Sequence, residues 1–386
     1  MIWAAAFTLV ERLGFPLVIF TFLSLGVAYH APAVQDASGL ALQVGALGMG
    51  AVALWIAYSV VRTALPECEL MALATSAALA VLPGHVAALS SNVLLGVAEA
   101  AFGMVLLGLV RMARTAVLQR GPAAGGGAWQ PPPPALTGAQ GSPRAEPGDL
   151  WSRGKLLDVG FWTGIVLAAA PGALAALALI PAGLLAVGRM AGLRGRGLLT
   201  AAGRGTLMAG AAAVVVAAAV LLAVGWLGAG RILPQGTDSA PAGALELAAA
   251  LGAGFGAFWL PAGWQLLPHG MPALATLALV SVMGALGAAV YALRVAWGGA
   301  GLEEAERAAI GVMYVAAGLA LLGALTVVVR GAAPGPGVLY PFLAPLALLG
   351  IIGFENWFPP VTRPLVVFGL LVGLFALNLF NLVAVA

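Results

Sequence analysis

The residue of this chain with the most chemistry to offer is Glu99. It lies in Asn92–Met112, with Leu94, Leu95, Val97 and Ala98 before it and Ala100, Ala101 and Phe102 after it. An ionised carboxylate inside such a run costs several kcal/mol in a bilayer unless it is paired or hydrated. Glu99 is therefore either protonated or turned toward a polar interior. A carboxyl that takes up and releases a proton there can couple solute movement to a proton or cation gradient. The plainer alternative is a carboxyl hydrogen-bonded to Asn92 or to a neighbouring helix.

Few other polar groups accompany it. Gln43 is a lone amide near the start of its apolar run, and Asn378 and Asn381 are three residues apart, hence on one helical face. These amides either line a polar path or bond helices together. In Phe258–Gln265, Pro261 removes one helix hydrogen bond and frees a carbonyl four residues back. Together with Trp259, Trp264 and Gln265 it forms either a small-molecule pocket or a proline-kinked aromatic interface.

The remaining candidates are weaker. Asp158, Glu246 and Glu355 fall near the ends of apolar runs, and Glu303, Glu304, Glu306 and Arg307 read as a short amphipathic helix with local ion pairs. His30, His85 and His269 all read as lying at run ends, which excludes a bis-histidine haem held by facing helices. If one face gathered all three imidazoles they could hold zinc or copper, but hydrated interfacial side chains are the simpler reading. Cys68 is the single cysteine, so an intramolecular disulfide is impossible, and Glu67-Cys68-Glu69 reads as a surface loop. Gly160-x-x-x-Gly164 and Gly369-x-x-x-Gly373 read as close helix packing rather than nucleotide binding. No metal site and no cofactor are expected.

The elements that must position these groups are long apolar helices. Charged residues make up 8% of the chain, against about 25% in soluble domains, and mean hydropathy is +1.05. Gly205–Gly230 and Met271–Leu293 carry no charge at all, and a bilayer core asks for about 20 apolar residues per helix. The runs are continuous rather than alternating, which excludes a barrel. The fold class is all-α, a polytopic transmembrane bundle of about eleven spans (ten to twelve). They are placed at 13–30, 39–61, 70–89, 92–112, 159–188, 205–228, 243–266, 271–293, 308–329, 337–354 and 364–386.

Residues 1–113 form a four-helix front part, and 156–386 a back part of about seven spans. Between them, 114–155 holds Gly125-Gly126-Gly127 and Pro131-Pro132-Pro133-Pro134. This composition predicts a disordered or polyproline-like linker, able at most to dock a protein partner. Its basic residues put it in the cytoplasm, and the N-terminus with it. The front part lacks a cleavable leader, so residues 14–29 read as a retained span. The fifth segment, 159–188, contains Pro171-Gly172 and Pro181 and would be about 45 Å long as one helix. A single kinked crossing is the expectation, with a hairpin bent near Pro171 as the alternative. The crossing leaves Arg189, Arg194, Arg196, Arg204 and Arg330 outside. The hairpin brings them inside and leaves Arg231, Arg294, Arg307 and Arg363 outside.

The net charge of +3 is spread over many loops and forms no nucleic-acid face. The expected partners are the lipid bilayer of a prokaryotic inner membrane and an unidentified small solute. The expected function is that of a permease, proton-coupled through Glu99. The alternative is a non-catalytic membrane subunit anchoring a larger respiratory or sporulation-type complex. An enzyme acting on a lipid or quinone has less to support it.

Overall fold

A computed structural model describes residues 2–30, 37–119, 151–170, 173–190, 192–226, 252–253, 255–256, 258–260, 270–297, 301–329 and 336–385. Among them no strand occurs, and the chain is an all-α bundle. Its helices are α1 (Ile2–His30), α2 (Ala37–Ala64), α3 (Glu69–Val81), α4 (Pro83–Ser91), α5 (Val93–Gln119), α6 (Arg153–Ala169), α7 (Ala175–Met190), α8 (Gly195–Trp226), α9 (Gly270–Ala296), α10 (Glu304–Val329), α11 (Leu343–Glu355) and α12 (Arg363–Val385). A 3-10 turn, Tyr340–Phe342, leads into α11.

Six of the described helices are long and apolar enough to cross a membrane, and α3 with α4 form a seventh, broken candidate. Their exposed side chains are large and apolar, as at Leu207, Val215 and Leu222 on α8 or Leu279 and Leu286 on α9. An apolar exterior of this kind suits hydrocarbon, not water.

Helix directions follow from which residues meet. On α2 and α5, Met49 and Gly50 lie against Gly96, and Ile56 against Gly103, so the two run parallel. Gly160 and Gly164 of α6 rest on Ala209 and Ala213 of α8, also parallel, with small residues letting backbones approach. By contrast α7 is antiparallel to α8, with Gly188 beside Leu198 and Leu184 beside Gly205. Trp151, just ahead of α6, packs on Gly188 near the end of α7.

The chain therefore goes out along α6 and comes back along α7. This corrects the single kinked crossing expected of 159–188. Residues 171–172 lie outside the described residues, but a single continuous helix could not bring Trp151 to Gly188. The two arms, Arg153–Ala169 and Ala175–Met190, are 17 and 16 residues long.

The hairpin gathers charge at one end of the bundle. Arg62 pairs with Glu69 at 3.3 Å, and Arg114 donates to the Thr63 carbonyl. Arg294 on α9 donates to Asn356 just after α11, which runs parallel to α9. Cys68 feels Glu306 and Glu355, so the ends of α9 and α11 and the start of α10 meet the loop before α3. Every Lys and Arg whose side chain is described lies toward this end. Arg294, Arg307 and Arg363 are thus on the same side as Arg194 and Arg196, against the sidedness expected of a hairpin. The reason is that α8 leaves the charged end and α9 returns to it, so the end of α8 and the start of α9 both lie toward the other side. The span expected at 243–266 falls almost wholly outside the described residues.

Partial burial pushes the Cys68 thiol above its ordinary value, and the negative fields of Glu306, Glu355 and Glu67 add to this. Its thiolate is disfavoured, opposite to what a metal-ligating thiol needs.

Candidate functional site

Glu99 is the one charged side chain among the described residues placed away from the charged end. It is 3% exposed. What it faces is set by a proline. Pro83 has no N–H, so the carbonyl of Leu79 loses the donor that a continuous helix would supply. The residue before a proline is driven from the helical region, and Leu82 is extended, at φ −74° and ψ 113°. The axis bends by 68° between α3 and α4.

His85 sits in the first turn after this break and is completely buried. Its Nδ1 lies 2.7 Å from the Leu79 carbonyl oxygen, and its Nε2 lies 2.8 Å from Glu99 Oε2. A carbonyl only accepts, so Nδ1 carries a hydrogen and donates it. One further proton is then shared between Nε2 and Oε2. Either Glu99 is protonated and donates to a neutral imidazole, or an imidazolium donates to a carboxylate. Both arrangements are neutral overall. Removing that proton sets two lone pairs against each other, and adding one sets two donors face to face. Either change leaves net charge among apolar side chains. The second carboxyl oxygen, Oε1, is buried with no hydrogen-bond partner among the described residues.

The surroundings are aromatic. The Tyr340 ring stands edge-on to His85, with centroids 5.6 Å apart, and its hydroxyl donates to the Phe258 carbonyl at 3.1 Å. Phe102, three residues from Glu99, packs on Phe342 with centroids 4.3 Å apart. Gly84 lets these groups close in, since a β-carbon there would collide with the Phe258 carbonyl and the Tyr340 hydroxyl. Thr75 and Ser76, both buried on α3, spend their hydroxyls on the carbonyls of Met71 and Ala72.

The break has a second tie. Asn378, fully buried on α12, donates through Nδ2 to the Val81 carbonyl and to Leu374, while its Oδ1 accepts from the Tyr29 hydroxyl of α1. Two carbonyls around the bend, Leu79 and Val81, are thus satisfied by side chains rather than by helix continuation. Asn378→Ala should lower stability by about 1–2 kcal/mol, because it strands a buried carbonyl. Thermal unfolding of the purified protein in detergent measures this, and an unchanged midpoint would show that the tie carries no weight.

The other expected residues are placed as follows. Asn92 is exposed and accepts from the backbone N–H groups of Leu94 and Leu95 at 3.0 and 3.3 Å. That is an N-cap for α5, and the partner of Glu99 is His85 instead. Gln43 lies near the start of α2, half-buried, with its amide nitrogen unpartnered among the described residues. Asn381 follows Asn378 by one turn of α12, but its side chain lies outside the described residues. Trp259 is half-buried, with the Phe258 ring edge-on at 5.5 Å, and it packs against the cluster that holds Val81, Leu277 and Leu374. Pro261, Trp264 and Gln265, with which it was expected to form a pocket, lie outside the described residues, as does His269.

His85 is the residue whose expected place the structure corrects: it is a buried partner of Glu99, not a hydrated side chain at the end of an apolar run. Pro83-Gly84 two residues earlier was the available signal. A proline inside an apolar run frees a carbonyl, and the nearest donor is the imidazole. The idea of three histidines sharing one metal falls with this, since both ring nitrogens of His85 are committed inside the bundle. Among the described residues no three His, Cys, Asp or Glu side chains come together to hold a metal. No known protein family, curated protein or solved structure matches the chain.

Proposed function

We propose that this protein is a multi-pass permease of a prokaryotic inner membrane that moves a small solute with protons. The observation that carries the reading is the Glu99–His85 pair. It shares one proton, it is shut away from solvent, and it sits at a broken helix. Ionisable groups within membrane spans are costly and mark ion or proton pathways. Discontinuous helices line the substrate and ion sites of many transporters, because their loose backbone groups can face a cavity. Here the break and the proton-sharing pair are the same place.

Orientation follows from the gathered Lys and Arg residues, which favour the cytoplasm. In this reading the loop after α2, the linker before α6, the α7–α8 loop and the start of α12 are cytoplasmic. The N-terminus joins them, since Phe15 of α1 stacks on Tyr58, whose hydroxyl reaches Glu69. The hairpin makes a specific demand: Thr200→Cys, in a Cys68→Ser background, should be modified from the same side of the membrane as native Cys68. An impermeant maleimide applied to intact cells and to inverted vesicles checks this. Labelling of the two positions from opposite sides would exclude the hairpin.

The transport reading is tested in proteoliposomes enclosing a pH-sensitive dye and challenged with a panel of amino acids, organic acids, sugars and amines. One class should drive a pH change in the lumen. Glu99→Gln should reduce it by about 100-fold, at the lower end of what a proton-transfer group contributes. Gln can still donate to His85 Nε2, so the geometry persists while the exchangeable proton is gone. Equal proton movement by wild type and variant would remove Glu99 from the mechanism. A wild type inert to every solute, yet purified with stable partners, would favour the anchoring subunit.

A further inference from the structure

A second feature, independent of transport, lies between α5 and α6 near the charged end. A groove of about 190 Å³ opens there, with Met104, Leu107, Gly108 and Met112 as its apolar floor and Arg111, Lys155 and Asp158 at its rim. We infer that this groove holds an anionic phospholipid, with its phosphate between Arg111 and Lys155 and the start of an acyl chain along the floor.

Three observations support this occupant. First, the charge is not balanced from within. Arg111 and Lys155 are both exposed and take part in no ion pair among the described residues. Asp158, the only acid at the rim, uses Oδ1 to accept from Trp162 Nε1 at 3.0 Å. Two cations facing one acid leave a net positive rim, complementary to a phosphodiester. Second, the depth is right. From Arg111 back to Met104 is about 10 Å along α5, so the cations stand at headgroup level while the floor reaches into hydrocarbon. Third, the floor includes two methionines and a glycine beside Leu107, and flexible methionines yield to a chain of irregular shape. Basic pockets between membrane helices near the bilayer surface recognise anionic headgroups in this way.

The experiment is native mass spectrometry of the full-length protein released from detergent micelles containing equal phosphatidylglycerol and phosphatidylcholine. Each basic residue near an anionic surface is worth roughly five-fold, so two give an expected preference for phosphatidylglycerol of about 25-fold. Arg111→Ala/Lys155→Ala should bring the two lipids close to parity. Arg194→Ala/Arg196→Ala removes the same charge from the exposed α7–α8 loop and first turn of α8 and should leave the preference intact. Matching thermal melts confirm that each variant is folded. Equal retention of both lipids by wild type overturns the proposal. So does a preference that survives the groove variant, or one that the loop variant abolishes, since the latter would reflect general surface charge. Loss of transport through Glu99 would leave all of these outcomes unchanged.

Discussion

Exchanging His85 for alanine should lower the stability of the folded protein by about 2–6 kcal/mol, at about 1–3 kcal/mol for each of two buried polar groups left unsatisfied. Two groups lose their partner at once. Glu99 keeps a carboxyl with neither oxygen satisfied, and the Leu79 carbonyl, freed by Pro83, has no donor. The double variant His85→Leu/Glu99→Leu should recover most of the loss attributable to Glu99, because both polar partners then go together. It should still be less stable than wild type by about 1–3 kcal/mol, the cost of an unsatisfied buried acceptor at Leu79. Unfolding in mixed micelles of rising denaturing-detergent content gives all three values. If the double variant is no more stable than His85→Ala, the pair is not the coupled unit described here. The double variant also separates structure from transport, since it should be folded and unable to move protons.

Gly287→Ala should be nearly as damaging. On α9 and α11, Gly284 faces Gly350 and Gly287 faces Gly353, with backbone against backbone. A methyl on Gly287 would overlap the Gly353 carbonyl oxygen, and one on Gly353 would overlap that of Gly284. Neither obstacle is a side chain that can swing aside, so the helices must part. Overpacking of this kind costs about 3 kcal/mol at the upper end of its usual range. The separation should also break two bridges between these elements, Arg294 to Asn356 at 2.7 Å and Trp357 Nε1 to the Met283 carbonyl at 2.8 Å. Gly369→Ala is the control. Nothing lies within 4 Å of a β-carbon there, and alanine is a better helix former by up to about 1 kcal/mol. Its melting point should stay level or rise. Equal loss at both positions would mean that the α9–α11 contact is not the cause.

Much of this was readable from residue order alone, and for a physical reason. An apolar run long enough to cross hydrocarbon has only one stable backbone state, so all-α architecture followed from composition. Glu99 could be singled out because an acid inside such a run is costly wherever it points. Gly160 and Gly164 could be read as a packing face, and they rest on α8. Their look-alikes Gly369 and Gly373 meet nothing within 4 Å, and only the fold distinguishes the two pairs. The partner of Glu99 was not legible, because it depends on how far the chain bends at Leu82-Pro83. A straight helix would have carried His85 to the surface. The hairpin was equally hidden. Counting Lys and Arg on either side of 159–188 gave nearly the same balance for both paths, and packing of Trp151 on Gly188 separated them.

The two arms of that hairpin have a consequence for the surrounding lipid. At 1.5 Å per residue, helices of 17 and 16 residues extend about 25 Å, some 5 Å short of an average hydrocarbon slab. Phe161 and Leu174 are turned outward, so the shortfall is felt by lipid tails and not only by protein. If both arms cross, the bilayer must dip beside α6 and α7, at a fraction of a kcal/mol for each ångström. A spanning hairpin of this length would favour thin membranes, and lengthening the acyl chains around it would then strain this corner of the bundle before any other.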